Sequence, residues 1–435
     1  MQNATQQQTY RVESAGKSRR TVGVIGAGAV GICAASWLLR DGHDVLLIDP
    51  EGIGTGASFG NAGCLNSSSV VPMSLPGTAW KVPGWLLDPL GPLAIRPSYL
   101  PRLAPWLVRF LRAAKPALVR SQAQALTGLL ADAPGAYAPL VGNAGAQDLL
   151  RHNGHIVAYR TQQDFDGDRL GWQLRRDAGI RFDVLDESEL WQMEPAISRD
   201  YRLGVLVPDN AYTVNPQALV RALGECFLRD GGRICNAKVL DFSFAGEALQ
   251  GVLTDQGQIT LDAVVLAAGA HSRVLAEQAG DKVMLDTERG YHVMIKDPEA
   301  MPRHSILDAT GKFVATPMQD GLRLAGTVEF AGLQAPPDWR RADRLQTLGR
   351  RLFPALQASY PEARLSRWMG FRPSMPDSLP VIGTARRSGN IIYAFGHGHI
   401  GLASAARTGR LVAELVGGRA PHVDIAPFSA QRFSQ

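Results

Sequence analysis

The first residues whose spacing carries chemistry are Gly26, Gly28 and Gly31, in the run GAGAVG. A β-branched stretch precedes them; a helical stretch, Gly42 and a second strand, DVLLID, follow, ending at Asp49. Strand, turn, helix and strand are the context that a dinucleotide fingerprint requires. Gly26 permits the tight turn, Gly28 leaves room for a pyrophosphate against the backbone, and Gly31, next to Val30, lets helix and strand pack closely. The helix N-terminus then meets the phosphate charge. Asp49, 18 residues beyond Gly31, is placed to accept hydrogen bonds from the ribose hydroxyls. The competing reading is an α/β core that holds no phosphate.

Nicotinamide enzymes normally continue into another helix and strand. Here the chain runs into GIGTGASFGNAG, residues 52–63, which has five glycines and no charge. Ser58 and Asn61 offer side-chain hydrogen bonds, while Ala62 and Gly63 leave backbone N–H groups bare for an extended ligand. FAD fits such a loop better than NAD.

The elements that must position these residues need a large scaffold. At 435 residues the chain exceeds an ordinary domain, so at least two units are expected. A content of 45% hydrophobic and 20% charged residues is ordinary for a globular protein and argues against disorder. The net charge of +5 comes without a Lys/Arg run interleaved with aromatics, which argues against a nucleic-acid partner. Cys33, Cys64, Cys226 and Cys235 show no CxxC spacing, so neither a metal site nor a disulfide framework is expected, and a reducing compartment fits. Residues 1–20 lack the apolar core of a secretory signal and read as a flexible leader. The apolar run 22–39 is long enough to imitate a membrane span. Its glycine spacing assigns it to a strand and a helix instead.

Further along, Asn215 is a candidate N-cap with Pro216 at the first helical position and Gly231-Gly232 past the helix end. AVVLAAG, residues 263–269, is apolar on both faces, as a buried parallel strand should be, and ends at Ala268 and Gly269, small enough for a cofactor to pass over. The segment from 390 onward reads as a strand, a glycine-rich turn and a long helix.

Eight segments in order resemble the FAD-dependent D-amino-acid dehydrogenases of the glycine oxidase and D-amino-acid oxidase superfamily. They are GAGAVG, GASFGNAG, the tryptophan-containing stretch 79–113, VNPQALVRAL (214–223), VVLAAGAHS (264–272), RGYHVMI (289–295), GFRPSMPDSLPVIG (370–383) and GHGHIGLASAARTGRLVAEL (396–415). The resemblance covers nearly the whole chain. It implies an α/β architecture in which a Rossmann-like FAD-binding domain (21–95, 205–285 and 366–420) is interleaved with an α+β substrate domain (96–204 and 286–365) carrying a mostly antiparallel sheet, with a tail at 421–435.

For the site, the resemblance places Val239 near the adenine, and Gly396, His397, Gly398, Ile400, Gly401 and Leu402 beside the isoalloxazine, whose negative charge on reduction a helix start stabilises. Arg372 corresponds to the arginine that holds the substrate carboxylate, a task that suits a planar guanidinium; a capped carbonyl before Pro373 is the alternative. Tyr291 is either a substrate contact or a core tyrosine, and His292 reads as structural. His399 stands where glycine oxidases carry an arginine and the dehydrogenase branch often a threonine; it either favours a polar or acidic substrate or shapes the pocket. No cysteine stands where sarcosine oxidases attach flavin covalently, so noncovalent FAD is expected.

The activity implied is oxidation of the Cα–N bond of a D-amino acid by hydride transfer to flavin N5, giving an imine and then a 2-oxo acid and ammonia. Electrons would pass to a quinone or another acceptor. No dedicated base is needed, and no Asp/Glu/His constellation is evident. A flavoprotein subunit of a hetero-oligomeric amine or hydroxy-D-proline dehydrogenase, an oxygen-using amino-acid or glycine oxidase, and a noncatalytic nucleotide-binding protein remain as alternatives. The expected location is the cytoplasm. Residues 79–113, with Trp80, Trp85, Trp106 and several arginines, suit peripheral contact with the inner membrane, or else form a buried segment with snorkelling arginines. A homo-oligomer or a partner subunit is left open.

Overall fold

The computed structural model describes residues 19–433 apart from 79, 81, 83 and 85–90; most of the expected leader and Trp85 lie outside the described residues. A six-stranded sheet carries the first fingerprint. Its order is Arg233–Cys235, Asp44–Ile48, Thr21–Ile25, Ala263–Leu266, Ile391–Phe395 and Val381–Thr384, all parallel except the last.

These strands read as near-continuous apolar runs because both faces are covered. Val22, Val24, Val45, Leu47, Ala263 and Val265 meet the helices Ala29–Arg40, Pro216–Arg229 and Gly401–Val416. On the other face Ile48, Val264, Leu266, Tyr393 and Phe395 pack against an antiparallel meander of Val239–Ala245, Ala248–Thr254 and Gly257–Thr260 and against the helix Ser272–Gln278. The Asn215 cap forms as expected: its Oδ1 accepts from the Ala218 N–H at 3.0 Å, a contact that stabilises the helix by ~1 kcal/mol.

The second large sheet has nine strands and is mostly antiparallel. Its path runs Leu365–Ser374, Asp286–Ile295, Gly321–Phe330, Phe313–Met318, Ser305–Asp308, His155–Tyr159, Leu203–Val207 and Asp183–Leu185, with Leu93–Ile95 pairing parallel to the end of Gly321–Phe330. Ser305–Asp308 and His155–Tyr159 also run parallel. One face buries Tyr291, Val293, Ile295, Leu324 and Phe313 against the helix Arg340–Leu352.

Two segments assigned by their boundaries to the nucleotide-binding part enter this sheet. Leu365–Ser374 pairs with Asp286–Ile295 over ten consecutive positions, and Leu93–Ile95 joins the edge beside Val328. Glycine fingerprints mark only where a cofactor passes, and strand pairing of this kind leaves no local sequence signal. The tail is docked through buried Phe428 and Phe433 and through the Arg432–Asp377 ion pair at 2.8 Å.

Trp106 also departs from the membrane-interface reading. It is 4% exposed, packs on Phe110 and Phe330, and donates from Nε1 to the Ser374 carbonyl. The helix that holds it, Leu100–Ala113, instead exposes Leu100, Val108 and Leu111. No helix of the described residues is long and apolar enough to cross a membrane.

Candidate active site

A single cavity of about 1860 Å³ runs between the two large sheets. It is larger than the roughly 300–1,000 Å³ of ordinary ligand pockets. At one end Gly26, Gly28, Val30, Asp49, Ser58, Val239, Ala268 and Gly269 line it; at the other stand Asn61, Ala62, Arg372, His397, Gly398, His399, Ile400, Gly401 and Leu402.

Gly26 has φ +106°, and a Cβ there would press on the Ala267 backbone, so only glycine lets the two central strands end side by side. At Gly28 an added Cβ would meet only Ser58 Oγ, at 3.5 Å; the space above it is a groove opening on the N-terminus of Ala29–Arg40. Ser58 Oγ accepts from the Ala29 N–H at 3.0 Å, and its hydroxyl hydrogen is left for a phosphate.

Asp49 is more engaged than a ribose contact requires. Its Oδ2 accepts from the Ala27 N–H, and its Oδ1 from the N–H groups of Glu51 and Gly52, so it ties the phosphate turn to the next loop. Asn61 likewise folds its own loop, accepting from the Gly63 N–H at Oδ1 while its carbonyl takes a hydrogen bond from Arg323. Gly31, Gly63 and Gly396 do not line the cavity; they allow close approach to Gly26, to the Thr213 carbonyl and to Met375 behind it. The bare groove, the helix start and the small residues at 268 and 269 fit the pyrophosphate and adenosine of FAD.

At the substrate end, strand alternation decides which side chains reach the cavity. Asp286–Ile295 and Leu365–Ser374 pair Glu288 with Arg372, Gly290 with Gly370 and His292 with Trp368, so these six share one face. Arg372 lies across Gly290, where a Cβ would overlap its guanidinium. Its one hydrogen bond among the described residues runs from Nη1 to the Thr327 carbonyl, at 3.0 Å. Thr327 has φ +60°, and Gly290 alone faces both Thr327 and Val328 between the pairs Arg289–Glu329 and Tyr291–Gly326, a β-bulge. A β-branched residue rarely adopts this backbone. Here it turns the carbonyl toward the arginine. The remaining N–H groups of Arg372 are free for a ligand.

His399 faces Arg372 from the turn Gly398–Ile400 and is exposed to the open cavity; partial loss of hydration among the surrounding walls and the neighbouring guanidinium lower its pKa to about 4, so it is neutral at pH 7. Behind it His397 is 3% exposed, contacts Thr408 Oγ1 at 3.1 Å, and is lowered by burial to about 3. His292 is structural as expected: its Nδ1 meets the Gly60 carbonyl at 2.9 Å and its ring stacks on Trp368.

Tyr291 also lines the cavity, but its hydroxyl is engaged elsewhere. It is one residue out of phase with Glu288 and His292 and points into the opposite core. Its hydroxyl donates to Glu329 Oε2 at 2.6 Å and accepts from the Asp338 N–H at 3.0 Å, while Glu329 also binds Arg96. This network pins the loop 331–338. Tyr291→Phe should therefore lower stability by about 1–3 kcal/mol, read as a lower Tm, while changing kcat/KM less than threefold. A large loss of kcat/KM at unchanged Tm would make the Tyr291 hydroxyl a substrate contact.

Glu288 was missed by the sequence reading. It lines the cavity, and its carboxylate accepts from Ser374 Oγ at 2.6 Å; burial raises its pKa against the opposing pull of Ser374 and Arg372. The signal was present in TERGYHV, where a glycine two residues away leaves room for a charged neighbour, but reading it requires knowing which face turns inward.

His155, His292 and His397 are each at most 3% exposed, with pKa values lowered to about 3 by burial. Their unfolded value is about 6.5. Because the folded values are depressed, the stabilisation is complete above that pH and is lost as pH falls toward 3. At pH 5 each imidazole costs about 2 kcal/mol. Tm should fall between pH 7 and pH 5, and a flat profile would contradict the burial of these rings.

The fold and cavity define a class, the flavin-binding oxidoreductases. The family described as FAD dependent oxidoreductase (DAO) matches residues 21–415, and the chain belongs to it. A protein of Bradyrhizobium diazoefficiens named D-amino-acid oxidase is 48% identical, over 95% of this chain and 99% of that one. One from Xanthobacter autotrophicus named D-amino acid dehydrogenase is 31% identical over 95% of this chain and 99% of its own. Among solved structures, glycine oxidase from Geobacillus kaustophilus superposes with a TM-score of 0.72 at 22% identity, covering 96% of this chain and 99% of that one, and so supports the fold. The chain is thus an FAD-dependent enzyme.

Proposed function

We propose that the enzyme oxidises the Cα–N bond of a D-amino acid to an imine, which water hydrolyses to a 2-oxo acid and ammonia. The observation that carries this reading is Arg372, whose guanidinium faces the cavity beside the turn 396–402 with one backbone carbonyl as its protein partner. The names of the two relatives supply the substrate class.

Bound FAD supplies a hydride acceptor. The chain's own residues do the positioning. Arg372 binds the α-carboxylate through parallel N–H donors and so fixes Cα, which is where most of the protein's contribution lies. Neutral His399 adds a hydrogen-bonding group beside it without a second positive charge. Trp106 and Phe330 exclude water from the same end.

For the electron acceptor we propose a quinone or similar carrier, reached from the exposed apolar surface of Leu100, Val108 and Leu111. A second reading, molecular oxygen, is favoured by the 48% identity to a protein named an oxidase. Reducing the enzyme with substrate and then admitting air or a soluble quinone separates them. Reoxidation by quinone that greatly outpaces air supports the first reading, and rapid reoxidation by air supports the second. Formation of one 2-oxo acid and one ammonia per reduced flavin tests the reaction itself.

A further inference from the structure

We propose that Glu288 makes the substrate pocket selective for D-amino acids with a basic side chain. The inference rests on the reading of Arg372 as the α-carboxylate anchor.

Glu288 and Arg372 are opposite partners on neighbouring antiparallel strands, which places their Cβ atoms about 5 Å apart. They attract each other through space but form no direct ion pair. The guanidinium leans over Gly290, and among the described residues no ion pair within 4.0 Å joins it to Glu288. Glu288 Oε1 has Ser374 Oγ as its donor, while the side chain, 5% exposed, lines the cavity. A buried carboxylate with a single neutral donor lacks the pairing such groups normally have. A ligand cation supplies it.

The surroundings fit that occupant. The Ser374 carbonyl holds Trp106, which packs on Phe330, so an aromatic wall stands close to the carboxylate. Aromatic faces attract cations. Asp286, two residues along the same strand face, adds negative field that Tyr99 binds but does not cancel. An acidic side chain here would meet the Glu288 carboxylate with the field of Asp286 behind it, whereas an ammonium or guanidinium pairs with Glu288 directly. The pocket is thus dipolar: Arg372 takes the α-carboxylate and Glu288 the side-chain cation.

The test compares D-ornithine with D-norleucine, whose side chains have the same number of heavy atoms, on the holoenzyme and on Glu288→Gln, which keeps an acceptor for Ser374. Wild type should show kcat/KM at least tenfold higher for D-ornithine, and the ratio should collapse in Glu288→Gln and persist in Glu288→Asp. D-Glutamate should be the poorest of the three. Should the variants fail to fold, displacement of the flavin spectrum by 5-aminovalerate and by valerate reads the same preference in wild type, with tighter binding of the former expected. Preference for D-norleucine, or a ratio that Glu288→Gln leaves unchanged in folded enzyme, would overturn the proposal while leaving the D-amino-acid reaction intact. Failure of every D-amino acid to reduce the flavin would remove the reading on which it rests.

Discussion

Replacing Arg372 by alanine should lower kcat/KM for a D-amino acid roughly a thousandfold while leaving the flavin spectrum and stoichiometry unchanged. Two charge-assisted hydrogen bonds and the orientation they impose are lost, together worth about 4 kcal/mol, and each 1.4 kcal/mol is about tenfold in rate. The cofactor should remain, because the cradle of Gly26, Gly28 and Asp49 lies at the other end of the cavity. Arg372→Lys should recover part of the loss, since it restores charge but not the planar fork. Unchanged kinetics in either variant would remove Arg372 from the site; loss of colour would show that its role is structural, through the strained Thr327 carbonyl it holds.

Gly28→Val should yield folded, colourless protein. Gly28 has φ −74°, which valine tolerates, and an added Cβ meets no atom closer than Ser58 Oγ at 3.5 Å. The fold therefore accommodates the side chain, but the isopropyl group occupies the groove over the helix start, where the pyrophosphate must approach the backbone. FAD affinity should fall more than a hundredfold, measured by titrating apoprotein, with an apoprotein Tm close to wild type. Stoichiometric FAD in this variant would mean that the dinucleotide lies elsewhere.

The nucleotide half was legible because its chemistry is local. Gly26, Gly28 and Gly31 act within one turn, Asp49 follows one strand later, and the Asn215 cap needs only its own helix. The run 22–39, long enough to imitate a span, divides at those glycines into the strand Thr21–Ile25 and the helix Ala29–Arg40. The substrate half was less legible because its site is made by pairing between strands distant in sequence. Whether the Tyr291 hydroxyl or the Glu288 carboxylate turns to the cavity depends on a one-residue phase that Asp286–Ile295 acquires only beside Leu365–Ser374. Arg372 was proposed from resemblance and does line the cavity, whereas Glu288 and the bulge at Thr327 became visible only in the fold. Trp106 was left between two readings for the same reason: an aromatic in a hydrophobic helix suits a membrane surface or a core equally well, and the contacts with Phe330 and the Ser374 carbonyl that decide for the core come from strands far along the chain.

The most direct test of the central claim is anaerobic mixing of the purified holoenzyme with paired D- and L-enantiomers of the same amino acids while the oxidised-flavin absorption band is followed. Rapid bleaching by D-enantiomers and none by their L-partners is expected. Flavin that stays oxidised with every D-amino acid, or bleaches with the L-series, would contradict it.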